Sequence, residues 1–506
     1  MMPTPIFSAV TPWLTTWLTS LWLIGVGALL GILALLLIWG LTFIVNREAA
    51  KQVPLAITEG VLLPITSIVA IVAIFGLVGA IFARNPLTIL ESLQRLPNAG
   101  EKSVVAEIPA SVEASSGEST ATPVQVDLYG DELIELSLSS NRLVSVADAA
   151  EEKDRREDPL EIDPSDPYEW SKSRQGGIPF GGDFVGKLYV SNPSDETATI
   201  TIASKSAPAY PQVTVIPTTA IGVLGIYILY FLQAWCFPRV SAIALATSKS
   251  EVAQPIFGII VAVGVFMLLL FEFLPYNTFG EDIKMLKDSG LTLIMVLAII
   301  QGVWAASNSV SEEIEGRTAL TVLSKPIGRR QFIIGKVLGI LWTVALLFII
   351  LGVLFLIVVA YKPVYDAREL GSETPSWELV HTEVVRTVPG LVLAFFETVV
   401  LVTLSVAIST RLPMLANFVI CFSVYVLGHL TPLIVQAPID FPPVVFIGQL
   451  IATILPVLDH FNIQAAVAAG RPVPLEYLLM AFFYCVLYSL IALLLSLALF
   501  EDRDLA

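Results

Sequence analysis

Few side chains in this sequence could carry chemistry, and they are easily surveyed. Two carboxylates, Glu272 and Glu397, stand inside long apolar runs. An ionisable group there is costly to keep and marks either a pathway or a polar contact between helices. Glu397 falls near the middle of its run, whereas Glu272 lies close to Pro275-Tyr276-Asn277, near enough to the end to reach the interface. Only three histidines occur, His381, His429 and His460, and none is four residues from another, so no H-E-x-x-H metal site exists. His429, beside Thr431-Pro432, reads as a helix-packing residue. There is no G-x-S-x-G nucleophile elbow. Gly328 to Val337 resembles a P-loop only superficially: six residues separate its glycines instead of four, and Val337 stands where Ser or Thr must hold magnesium. The expectation is therefore no catalytic residue, no metal and no cofactor in this chain.

The most informative polar stretch is Ser311 to Lys336, SEEIEGRTALTVLSKPIGRRQFIIGK. Glu312, Glu313 and Glu315 are expected to open a helix, where its positive dipole end favours acids. Leu320, Val322 and Leu323 continue it, and Pro326 after Lys325 stops it. Arg329 and Arg330 then lead into the next apolar run. A short helix held between two membrane spans can pass a push from a docked protein into the membrane. The charges alone also fit a solvated loop with basic anchors.

The elements that must position these residues are membrane helices. The chain has 506 residues, 55% hydrophobic and only 14% charged. Soluble domains run at about 45–50% apolar and about 25% charged, and no single soluble core absorbs the excess. Nine stretches approach or exceed the roughly 20 apolar residues that a bilayer core of about 30 Å needs: 14–45, 61–83, 215–235, 256–274, 290–309, 337–360, 388–408, 415–435 and 477–499. A tenth stretch, 443–458, is too short and Pro-flanked to span and reads as re-entrant or interfacial. The composition excludes a secreted disulfide scaffold and a disordered chain. A net charge of −16 argues against nucleic-acid binding. The three cysteines, Cys236, Cys421 and Cys485, match no redox or metal spacing and read as small buried hydrophobes.

Basic residues set the orientation. Arg47, Lys51, Arg239, Lys249, Arg317, Lys325, Arg329, Arg330, Lys336, Arg411 and Arg503 fall in alternate loops, which are expected to be cytoplasmic. The N-terminus and the segment 85–212 are then extracytoplasmic and the C-terminus cytoplasmic. That segment changes regime. Residues 124–128, 133–138, 187–190 and 197–203 read as strands, with an Asn-Pro-Ser-Asp turn at 192–195. The expectation is a β-rich domain at about 124–212, with 102–122 a linker, 149–169 a solvated acidic loop and 171–182 another loop.

The stretch E-E-x-E-G-R-T…L-S-K-P-I-x-R-R-x-F-x-x-G-K resembles the signature of ABC-2 type permeases, the membrane subunits of ABC exporters. It is most similar to the branch described as involved in multicopper-enzyme maturation. Residues 239–250 resemble that family's elbow helix. L-D-H-F-N-I-Q…P-V-P-L-E-Y…Y-C-V-L-Y and the Asp502-Arg503-Asp504-Leu505 tail resemble its closing segment. The resemblance covers about 239–506, and spans one to three with the inserted domain lie outside it. It implies a six-helix permease core at 239–506 preceded by helices at 1–84 and 213–238, in the cell inner membrane. It also implies a coupling loop at 311–336 that contacts a separate ABC ATP-binding subunit, which binds the ATP, and a second permease half. Glu312, Glu313, Glu315, Arg317, Leu320, Leu323, Lys325, Pro326, Arg329 and Arg330 would then couple, with Glu397 and Glu272 as pathway candidates. The rival expectation is a membrane anchor whose β-rich domain recruits a partner protein.

Overall fold

The computed structural model describes residues 12–110, 121–150, 155–173, 179–181, 184–274, 281–313, 328–436 and 442–501. In chain order its helices are α1 (Pro12–Val45), α2 (Arg47–Ile57), α3 (Leu62–Val78), α4 (Pro86–Arg95), α5 (Val215–Cys236), α6 (Pro238–Val252), α7 (Pro255–Phe273), α8 (Asp282–Ala306), α9 (Arg329–Glu369), α10 (Trp377–Ser409), α11 (Met414–Gln436), α12 (Pro442–Ile454), α13 (Gln464–Ala468) and α14 (Leu475–Glu501). Among the described residues nine are long and apolar enough to cross a membrane: α1, α3, α5, α7 to α11 and α14. The protein is a multi-pass membrane protein with an inserted β domain. Its chain divides into two compact units, Met1–Arg84 with Val215–Ala506, and Asn85–Thr214.

The helical unit is built around α8, α9 and α10. Leu291, Ile294 and Ala298 of α8, Val344, Leu347 and Leu351 of α9, and Val402 and Val406 of α10 share one apolar core. Spans six and seven run well past their expected ends. α9 has 41 residues and α10 has 33. At 1.5 Å per residue α9 is about 60 Å long, twice the hydrocarbon core. The tenth apolar stretch forms α12, whose 13 residues reach only about 20 Å.

Small residues let these helices touch, as expected where lipid offers no hydrophobic drive for association. A Cβ on Gly25 of α1 would lie 2.6 Å from the Gly76 nitrogen of α3, and Trp22 Nε1 donates to the Gly76 carbonyl at 3.0 Å. The next face of α1 receives α5, with Ile216 and Thr219 over Gly27 and Val223 over Gly31. On α9, Gly335 and Gly339 form a groove that seats α6. A Cβ there would meet Ile243 Cβ at 2.6 Å and the Ala244 carbonyl at 2.7 Å. The first span is also tied to the core. Trp17 packs edge-on against Tyr361 of α9, and Ser20 hydroxyl lies 3.3 Å from His381 Nδ1 of α10.

The β unit is a sandwich of two four-stranded antiparallel sheets. Its strands are β1 (Gly100–Ile108), β2 (Thr122–Tyr129), β3 (Leu133–Ser140), β4 (Val144–Ala147), β5 (Leu160–Ile162), β6 (Tyr168–Ser171), β7 (Phe184–Ser191) and β8 (Ala198–Ser206). One sheet runs β1-β8-β3-β6 and the other β2-β7-β4-β5. Leu136, Leu138, Val146, Leu188, Val190 and Ile200 fill the space between them. The Asn-Pro-Ser-Asp turn forms for a specific reason. Buried Asn192 accepts from the Ser194 backbone and donates to the Glu196 carbonyl at 2.9 Å.

Three sequence expectations need correction here. The domain starts at Gly100, not near 124, because residues 102–108 are strand and not linker. β1 pairs along its full length with β8. Its outward residues Glu101, Ser103 and Glu107 gave it the composition of a linker, but edge pairing and not propensity decides. The acidic stretch 149–169 contains β5 and the start of β6, held by Ile162 opposite Val144 and Tyr168 opposite Leu138. Cys236 is exposed at the end of α5, while Cys421 and Cys485 are buried as expected.

Candidate functional site

The helix of span five does not stop at Ala306. It continues from α8 into a π-helical segment, Ser307–Glu312. Such segments wind wider than an α-helix and frequently mark functional positions. Four side chains between 307 and 313 each reach a different element. Asn308 Nδ2 donates to Glu251 Oε1 of α6 at 3.2 Å. Ser311 hydroxyl donates to the Leu412 carbonyl, in the turn between α10 and α11, at 3.2 Å. Lys336 Nζ of α9 donates to Glu313 Oε1 at 2.5 Å, and Ser307 hydroxyl accepts from Asn417 Nδ2 of α11 at 2.9 Å. The segment 307–313 is thus fixed to four neighbours at once. We call this the basic end of the bundle, since Lys249, Arg329 and Arg330 also gather there. Lys249 pairs with Glu59 at 3.3 Å, and Arg329 Nη1 donates to the Glu501 carbonyl at 2.9 Å.

Asn417 is the hub of a buried polar knot. Its Nδ2 lies 2.8 Å from the hydroxyls of Ser405 and Ser409 as well as 2.9 Å from Ser307. All four residues have no exposed surface. An amide nitrogen has two hydrogens for these three hydroxyls, so one contact is shared. Cys421 thiol closes the ring on Asn417 Oδ1 at 3.3 Å. Replacing Asn417 with Leu should cost about 1–3 kcal/mol, because buried hydroxyls lose their donor. Thermal unfolding of the detergent-solubilised protein checks it, and Asn417→Ser should recover part of the loss.

Of the residues singled out in the sequence, Glu313 belongs to the anchored segment 307–313, whereas Arg329 and Arg330 at the start of α9 meet Glu501 of α14. Arg330 lies 3.9 Å from the Glu501 carboxylate. Glu312 is the last residue of the π segment. Glu315, Arg317, Leu320, Leu323, Lys325 and Pro326 lie outside the described residues. The dipole argument for the acids needs revision at Glu312 and Glu313. They follow a continuous helix, and the Glu313 N–H already donates to the Val310 carbonyl. Lys336, not an open helix end, faces Glu313. Sequence reasoning passed over Glu251, Asn308 and Asn417. An Asn inside an apolar span was the available signal for the last.

The two intramembrane acids sit in unrelated surroundings. Glu272, at the far end of α7, is 3% exposed. Its backbone carbonyl accepts from Lys362 Nζ of α9 at 3.2 Å, and Lys362 also pairs with Asp366 at 2.9 Å. Glu397 of α10 is 1% exposed, with Oε1 3.5 Å from His429 Nε2 of α11. His429 Nδ1 lies 3.0 Å from the Tyr425 carbonyl and must donate to it. Nε2 is therefore turned toward Glu397, so His429 is a partner of the acid as well as a packing residue. Among the described residues no group of three or more His, Cys, Asp or Glu is arranged to hold a metal ion.

The family model described as ABC-2 family transporter protein matches residues 16–505. The chain belongs to the ABC-2 transporter family. No curated protein matches it. The ABC-2 match corrects the expected extent of the resemblance, which began at 239. It runs through spans one to three and the inserted segment as well. Trp17 and Ser20, packed against α9 and α10, give the physical reason: span one is part of the transporter core and not an addition to it. Membership makes this chain a membrane component of ABC-type transport, a family whose members work with an ABC ATPase.

Proposed function

We infer that the chain is the permease subunit of an ABC exporter in the cell inner membrane. A separate subunit binds and hydrolyses ATP, docking on the loop 311–336, and a second permease half completes the pathway. The basic end faces the cytoplasm; the N-terminus and the β sandwich face the opposite side. One observation carries this reading: the four-way anchoring of the π segment at the root of that loop. A push on the loop reaches α6, α9, α11 and the turn between α10 and α11 together, the coupling that two-state transport requires. The cargo is an unidentified substrate, with Glu397 and Glu272 as the candidate polar contacts along its path.

Purification of the tagged chain from its native membrane in mild detergent tests this. A stoichiometric ATPase should copurify and hydrolyse ATP. Isolation of the chain alone, or with only partners of the β sandwich, would overturn the reading.

A further inference from the structure

A second feature of the basic end adjoins the coupling loop just described. A cavity of about 550 Å³ opens where the N-termini of α6 and α9 meet the C-terminal turn of α14. Arg239 of α6 with Arg329 and Arg330 of α9 line it, and among the described residues Glu501 is the one carboxylate that does. Glu501 offsets one of these charges at most, through a long contact to Arg330. Its carbonyl, not its carboxylate, takes Arg329, and Arg330 stands 3.9 Å away. Arg239 is exposed and forms no ion pair among the described residues. The N-termini of the 15-residue α6 and the 41-residue α9 add their positive ends to the same space.

The opposite wall is apolar. Half-buried Leu497 of α14 lines it, backed by Phe500, which is 1% exposed and stacks on Phe332 at 5.8 Å. Trp235 and Phe237, just before Arg239 in the chain, are 82% and 62% exposed. Exposed aromatic side chains at the end of a membrane span sit at headgroup level. A cationic rim, an apolar wall and this depth together describe a receptor for a phosphate-bearing anion. Basic pockets between membrane helices bind acidic headgroups in this way.

We propose that Arg239, Arg329 and Arg330 form a binding site for a phosphate-bearing anion, with the phosphate on the guanidinium groups. The apolar wall suits the glycerol and upper acyl chains of an acidic phospholipid. A free phosphate shares the headgroup chemistry but leaves Leu497 uncovered. Because Arg329 and Arg330 open α9 directly after the coupling loop, an occupant would bear on the helix that the loop moves.

Native mass spectrometry of the full chain in detergent tests the site, titrated in turn with phosphatidylglycerol, phosphatidylcholine and inorganic phosphate. Phosphatidylglycerol should be retained over phosphatidylcholine. The triple variant R239Q/R329Q/R330Q should lose about a hundredfold in its affinity, taking about a fivefold contribution from each arginine. Arg239→Gln alone should lose about fivefold, and it is the control against misfolding because that side chain is exposed. Displacement of the lipid by millimolar inorganic phosphate would keep the anion site but make its ligand soluble. Equal retention of both lipids with no phosphate binding, or phosphatidylglycerol binding unchanged in R239Q and in the triple variant, overturns the proposal.

Discussion

Glu313→Lys should abolish the stimulation of the ATPase by this permease, Lys336→Glu should do the same, and the double exchange should recover it. Lys336 is 8% exposed near the start of α9, and its ammonium meets the Glu313 carboxylate at 2.5 Å. Phe332, one turn earlier, lies under it with 5.4 Å between ammonium and ring centre. Either single reversal places two like charges in this partly buried contact. At 4 Å and an effective dielectric constant near 20 that repulsion is roughly 4 kcal/mol. The loop root then leaves α9, and a push on the loop no longer reaches span six. The exchanged pair restores the attraction with its direction reversed. The readout is ATP hydrolysis by the copurified complex relative to the ATPase alone. If the double variant stays silent while both singles are silent, Glu313 acts on the partner subunit and not on Lys336, and the linkage argued here fails.

Glu383→Ala should destabilise the bundle more than Lys287→Met does. Lys287 of α8 has no exposed surface, and its ammonium is hydrogen-bonded to the carboxylate of Glu383 on α10, which is 21% exposed. Removing Glu383 strands a buried cation, and breaking a buried pair in this way costs about 3–5 kcal/mol. Arg386, one turn further along α10, adds a like charge. It is itself committed to the Gly470 carbonyl at 2.7 Å and does not move away. Removing Lys287 leaves only a carboxylate that is already part-exposed. The pair Lys287→Met with Glu383→Leu should return close to the parent stability, since apolar replacements of a buried ion pair are often neutral or stabilising. Thermal unfolding in detergent measures all three. Equal losses in the two single variants would show that the pair is solvated and that its burial has been misjudged.

The membrane fold was legible in the sequence because span length and apolarity are properties of single segments. The nine runs each became one helix for that reason. What failed depends on partners. β1 looked like a linker because its outward residues are polar, and only pairing with β8 makes it a strand. Spans six and seven extend beyond their apolar centres because Lys362 and His381 find partners in Asp366 and Ser20, which no hydropathy window can see. The candidate site was legible only in part. Glu313 and the arginines stood out by charge, but Asn417 drew no notice, since one amide among apolar residues says nothing of the three serines folded around it. Glycines 335 and 339 were equally silent, although their spacing makes the seat for α6.

The length of α9 makes it a lever. From Lys336 to Glu369 the helix is about 50 Å long, so a tilt of roughly 5° about Lys336 carries its far tip about 4 Å. Near that tip Tyr361 packs on Trp17, and Arg368 sits over Trp13 at 5.0 Å. A rotation too small to break any contact at the loop root therefore becomes a displacement of atomic size at the other end, and span one is carried with it.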